Sequence, residues 1–239
     1  MKRPHCLLAA VATALIASCQ SAAPPEAPVA VAPAPPVAVT QNGWQAFMDA
    51  YIEETFRANP PFAVSSGRHE YDGQLPDWSP RGVAAERGRL KRALAAAQAF
   101  APEGLTADQR FQRDYLISHA RGTLFWEEVA NQPHTNPAYY SGSLSPAVYV
   151  SVPYAAPGVR LKAYTRYLQN VPAAVRQMQA NLRTPLPISF LDYGKSAFGG
   201  YAEYYLGDGL AAWKGVGTDA DQAALRSASH AASVAMKEV

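Results

Sequence analysis

An all-α fold is predicted for this chain of 239 residues, and three observations predict it. Apolar residues recur at helical spacing in most segments beyond residue 42. Cap residues, prolines and glycines punctuate those segments where helices start and stop. Period-two alternation is nearly absent, the best strand candidate being the short AVYVSV at residues 147–152. We expect a multi-helix array interrupted by one long loop.

The helical body starts at Asn42, which stands where an N-cap belongs. Trp44, Phe47, Met48, Tyr51, Ile52 and Phe56 follow at helical spacing, and Asn59-Pro60-Pro61 ends that helix. A short helical turn runs to Ser66, with Gly67 as its left-handed stop. Ser79-Pro80 pairs a cap with proline at the first position of the next helix. Val83, Leu90, Leu94, Ala97 and Phe100 make its inner stripe, while Arg81, Arg87, Arg89, Lys91 and Arg92 are expected to face water. Thr106 caps a third helix carrying Phe111, Tyr115, Leu116, Leu124 and Trp126.

From residue 131 to residue 157 the pattern breaks. The stretch holds five prolines together with Tyr139, Tyr140, Tyr149 and Tyr154, and it shows no sustained period. A loop of this length in a compact body is often functional. Helical spacing returns with Val159, Tyr164, Tyr167 and Leu168, continues after Pro172 with Val175, Met178 and Leu182, and again after Pro187 to Leu206. Gly207-Asp208-Gly209 stops it. The last helix follows Thr218, with Leu225, Ala228, Ala232 and Met236 on one face. Glu238-Val239 falls inside that pattern with no stop signal near, so the domain is expected to be incomplete, the front part of a longer protein.

The N-terminus reads as an export signal over residues 1–18, with Lys2 and Arg3 before an apolar run too short to span a bilayer. Ser18-Cys19, following Leu15-Ile16-Ala17, resembles a bacterial lipobox. The resemblance implies cleavage before Cys19 and its acylation, and Gln20 implies the outer membrane of a Gram-negative envelope, facing the periplasm. Membrane attachment through this lipid anchor is then the expected partnership. Residues 19–41 form an Ala/Pro-rich tether of extended geometry, and residues 42–239 the helical domain. Of the two cysteines, Cys6 leaves with the signal, so the mature body has no disulfide and no cysteine-ligated metal. A net charge of +2 without a basic run offers nothing to nucleic acid.

Candidate chemistry is sparse. His69-Glu70 begins the zinc-hydrolase pattern His-Glu-x-x-His, but Gly73 stands where the second histidine belongs, and Asp72, Gly73 and Pro76 make the segment a loop. His119, His134 and His230 lack a second ligand at helical spacing. Gly194-Lys195-Ser196 lacks the earlier glycine and the strand of a phosphate-binding loop. Glu53-Glu54 and Glu127-Glu128 are adjacent carboxylates that diverge on a helix, so we expect them on a solvated face. Ser141, Ser143 and Ser145 sit in no nucleophile elbow. Phe198, Tyr201, Tyr204 and Tyr205 form an aromatic helix face, read as core. His69, Glu70, Tyr71, Asp72, His134, Tyr139 and Tyr140 are the residues expected either to structure loops or to line a cleft. No catalytic or metal-ligating residue is assigned.

The stretch AYIEETFRANPPFAVSSGRHEYDGQLPDWSP, with RLKAYTRYLQNVPAAVRQMQANLRTPLP further on, resembles a bacterial family of exported, often lipoprotein chains, domain-of-unknown-function family eight-eight-five. The likeness rests on Asn59-Pro60, Gly67, Tyr71-Asp72-Gly73, Asp77 and Ser79-Pro80. It implies a helical, zinc-metallopeptidase-like protein more than twice this long. Its presumed zinc motif, His-Glu followed by Pro-Gly-His, lies in a second half, so zinc is implied for a complete member and no cofactor for this chain. The expected function is therefore the N-terminal, cleft-forming half of such a protein, inactive alone, its partner a peptide ligand or the missing C-terminal half. The alternative is a non-catalytic, membrane-tethered helical binding module.

Overall fold

The computed structural model describes the backbone of residues 41–239 and the side chains from Gly43 onward. The signal, the lipobox at Ser18 and Cys19, and most of the tether lie outside the described residues. The elements are helices α1 (Gln41–Ala58), α2 (Pro60–Ser65), α3 (Pro80–Ala99), α4 (Ala107–Leu124), the short turns α5 (Gln132–Thr135), α6 (Ala138–Ser141) and α7 (Ala147–Ser151), then α8 (Pro157–Asn181), α9 (Ile188–Leu206), the turn α10 (Asp208–Ala211) and α11 (Asp219–Lys237). Among the described residues there is no strand, and the all-α reading holds. None of these helices is long and apolar enough to cross a membrane.

The caps sit where local chemistry requires. The Asn59 side chain accepts from the Phe62 N–H at 3.3 Å, and the Ser79 hydroxyl accepts from the Gly82 N–H at 3.1 Å. Thr106 and Gln109 form a reciprocal capping box, as do Thr218 and Asp221. Each cap of this kind stabilises its helix by about 1 kcal/mol. Asn42 is not a cap, because α1 is already under way at Gln41.

The main core lies where α11 packs on α8 and α9. Leu161, Tyr164, Leu168, Val175 and Met178 of α8 meet Leu225, Ala232 and Met236 of α11 and Phe198 of α9, all buried. Pro172 lies inside α8, which is one unbroken helix rather than two. The Tyr167 and Tyr205 hydroxyls are 2.8 Å apart, in hydrogen-bond contact, and lie 2.6 and 3.1 Å from the Leu144 carbonyl, which their two protons share with that contact. Smaller clusters, Trp44 with Phe100 and Leu105, and Ala97 with Leu116 and Ile117, hold α1, α3 and α4 together.

Four expectations are corrected. The stretch 147–152 is helical over most of its length as α7, not a strand. The long loop after residue 131 is a chain of short helical turns whose tyrosines are pinned by hydrogen bonds. On α4 the inward stripe is Leu116, Ile117 and Ala120, whereas Phe111 and Tyr115 are 72 % and 65 % exposed, and Trp126 is half exposed. Arg89 does not face water: its stem is buried and its head is fully engaged.

Candidate functional site

The site is built around Glu127. Beyond Leu124 the backbone widens into a single π-turn over Phe125–Val129, a departure from α geometry that concentrates at functional sites. Glu127 continues the inward phase of Leu116 and Ala120 and is only 3 % exposed. It is thus not on a solvated face with Glu128, as its adjacency to Glu128 suggests. Tyr139, on α6, donates to Glu127 Oε1 at 3.1 Å. Arg87, on α3, donates from Nη2 to the Glu127 main-chain carbonyl at 2.7 Å, while its Nε stands 3.5 Å from Oε2.

Glu127 forms part of the wall of a cleft of about 710 Å³, within the range of small-ligand sites. Tyr51, Glu54 and Thr55 of α1 line one side, and Glu86 and Arg89 of α3 another. Trp78, buried and edge-on to Tyr140 at 4.9 Å, also lines it. Glu86 grips Arg89 with two hydrogen bonds of 2.6 and 2.7 Å. Arg89 then donates to the Thr55 hydroxyl at 3.1 Å and lies over the Tyr51 ring at 5.4 Å, tying α3 to α1.

Burial pushes the Glu127 carboxyl above its ordinary value of 4.5, and the nearby Glu86 charge adds to the rise. The Tyr139 hydroxyl and Arg87 act the other way without offsetting burial. The Tyr139 phenol is driven well up by burial and then by Glu127. Burial works against the Arg89 charge, yet Glu86 leaves its guanidinium more firmly protonated than usual. Asp77, on the cleft wall, is held below the ordinary carboxylate value first by the Ser79 backbone N–H.

A raised buried carboxyl favours folding below its unfolded value and loses that advantage as pH climbs through its folded value. We therefore expect Glu127→Gln to gain melting temperature relative to the parent as pH rises above 4.5. Parallel thermal melts across that range check this. A constant difference between the two proteins would refute the burial of a titrating charge.

The residues singled out from sequence fall in three places. His69, Glu70, Tyr71 and Asp72 lie on a tight turn between α2 and α3, away from the cleft lining. His69 stacks flat on Tyr154 at 3.6 Å, with Nδ1 3.2 Å from Asp72 Oδ1, and Tyr154 donates to Asp72 Oδ2 at 2.9 Å. Glu70 accepts from Arg68, which also pairs with Glu53 and lies over the Tyr71 ring. This cluster fastens the turn to the tyrosine-rich segment. His134 Nδ1 lies 2.7 Å from the Asn181 carbonyl, and the Tyr140 hydroxyl donates to the Pro133 carbonyl at 2.6 Å. Tyr139 alone of this set lines the cleft.

Glu127, Glu86 and Arg89 were not singled out as site residues. The available signal was phase: Glu127 lies seven residues after Ala120, on the buried side of α4. The larger aromatics pointed to the wrong stripe. Among the described residues no three or more metal-ligating side chains converge. Glu127 is held by Tyr139, and Glu86 is committed to Arg89. No step through zinc is derived for these residues.

The fold defines a helical protein with a charged, aromatic-walled cleft, and the sequence places it more narrowly. The family model described as "Bacterial protein of unknown function (DUF885)" matches residues 60–236, so the chain belongs to that family. It is similar in structure to a candidate lipoprotein of unknown function from Shewanella oneidensis, with a TM-score of 0.69 at 20% sequence identity. That match covers 82% of this chain and 36% of the other, so this chain spans about a third of the length of its structural relative. No curated protein matches the chain.

Proposed function

We propose that this chain is the cleft-bearing helical part of a lipid-anchored envelope protein that handles peptides, with hydrolytic chemistry supplied by polypeptide outside it. The observation that carries the reading is the cleft itself: an ionic, aromatic-walled hollow built by α1, α3, the π-turn and α6 around a buried carboxylate. Family membership and the candidate lipoprotein relative support an envelope setting. Cys19 is the proposed anchor, and Gln20 favours the outer membrane with the body in the periplasm. The metallopeptidase-like role rests on the family resemblance, and zinc would belong to a complete member rather than to these residues.

A second reading is a non-catalytic tethered binding module, for which the cleft alone would suffice. An in-frame His-Glu…Pro-Gly-His stretch downstream of Val239 would select the first reading, and a stop codon without it the second. The first reading predicts that the purified protein binds short peptides without cleaving them, with or without added zinc, and the second predicts no cleavage either. Peptide hydrolysis by this chain, abolished by a chelator, would overturn both.

A further inference from the structure

We propose that the exposed aromatic face of α4 and the π-turn is a docking surface, and that its occupant is the polypeptide a longer member of the family carries outside the portion present here. The proposal rests on the first reading above, in which such polypeptide completes the protein, and adds where it seats.

Phe111, Tyr115, Trp126 and Val129 are each more than half exposed, on the side away from the buried Leu116, Ile117 and Ala120. The rings are ordered rather than scattered. Phe111 stacks beside Tyr115 at 6.3 Å, Tyr115 beside His119 at 6.1 Å, and Phe125 meets Trp126 edge-on at 5.2 Å. Between the two groups stands Gly122, where an added methyl group would meet nothing within 4 Å, so a partner's side chain has room to enter. Single exposed apolar residues are ordinary, but a contiguous aromatic strip marks an interaction surface. Exposed charges flank it, Arg110, Asp114, Arg121 and Glu128, while no charged side chain interrupts its centre. An apolar centre with a charged rim is the anatomy of a protein–protein interface.

Two observations select the occupant. The structural relative carries nearly two thirds of its chain outside the match, and polypeptide of that extent must cover part of this one if the two make a single body. The rim mixes acidic and basic groups, so it offers an anionic lipid surface no net attraction, whereas a folded partner can meet each charge with its opposite. The face also adjoins the cleft, because His119 both stacks on Tyr115 and lines the cleft. A segment seated on Phe111 and Tyr115 therefore borders the cleft at His119 and brings its own side chains to the edge.

The test is hydroxyl-radical footprinting, read by mass spectrometry, of the 239-residue chain and of the product of the same reading frame carried past Val239. In the shorter chain Phe111, Tyr115 and Trp126 should react freely, with the buried Leu116 and Ile117 of the same helix as internal references. In the longer product their protection should rise severalfold, towards that of the references. Gly122→Arg should leave the melting temperature of the shorter chain within about 2 °C, since the position is open, and should strip the protection from Tyr115 and Trp126 in the longer product. Aromatic residues as reactive in the longer product as in the shorter would overturn the docking and leave the first reading standing. A frame that ends at Val239 would overturn both. Protection of the shorter chain that rises with its own concentration would give the face to a second copy. Protection on adding vesicles of phosphatidylethanolamine and phosphatidylglycerol would give it to a membrane, and either result overturns the assignment. Protection of the longer product that survives Gly122→Arg would place the covering segment elsewhere, with the same consequence.

Discussion

Replacing Trp78 with alanine should destabilise the protein by about 4 kcal/mol, which lowers the melting temperature of a body this size by roughly 8–16 °C. Trp78 is 4 % exposed and joins the main core from the segment between α2 and α3. Its ring meets Tyr140 edge-on, its N–H donates to Gln177 at 2.8 Å, and its carbonyl accepts from the buried Asn181 side chain at 2.7 Å. The backbone bonds tie this segment to α8, and the indole fills the space between. Alanine keeps the bonds available but leaves a cavity beside the cleft wall. Thermal melts of Trp78→Ala and Trp78→Phe, with phenylalanine recovering most of the loss, check the assignment. A fall of less than about 1 kcal/mol for alanine would show that the indole is not packed as described.

Gly73→Ala should cost about 3 kcal/mol, against about 1 kcal/mol for Gly67→Ala. Both glycines have positive φ, +81° and +88°. At Gly67 a methyl group meets open space, so only backbone strain is felt. At Gly73 it would sit 2.7 Å from Arg166 Cβ and 3.1 Å from the Tyr167 backbone nitrogen, so the turn must move off α8. That movement also pulls on the Gly73 N–H, which donates to the Tyr149 hydroxyl at 2.9 Å, and on its carbonyl, which accepts from Asn170 at 2.9 Å. Chemical denaturation of the two variants side by side separates strain from collision. Equal losses would mean that the close approach to α8 is unimportant.

What was legible in the sequence was local. Ser79-Pro80, Thr106 and Thr218 announce helix starts because a cap satisfies its own backbone within four residues, whatever lies further away. The inner face of α11 was equally plain, since Leu225, Ala228, Ala232 and Met236 keep a strict helical period and all are buried. What was not legible depended on partners distant in sequence. Residues 147–152 alternate like a strand, but a strand needs a neighbour for its N–H and C=O groups. Tyr149 instead turns inward against Tyr164 and Tyr167. Arg89 reads as a surface residue until Glu86, Thr55 and Tyr51 are brought around it from two helices. The cleft failed for the same reason: Glu127, Glu86, Thr55 and Tyr139 come from four separate segments, and nothing in any one of them marks the others. The family likeness was recoverable because Asn59-Pro60, Gly67 and Tyr71-Asp72-Gly73 are turn residues, each required by its own backbone.

The phenols shared between Tyr167, Tyr205 and the Leu144 carbonyl set a limit at the alkaline end. Burial holds both hydroxyls neutral well past the ordinary tyrosine value of 10.0. An unfolded chain releases those protons freely once that value is passed, while the folded chain cannot, so strong base draws the equilibrium towards unfolding. The same tyrosines that tie the bundle together at neutral pH thus make it vulnerable to caustic conditions.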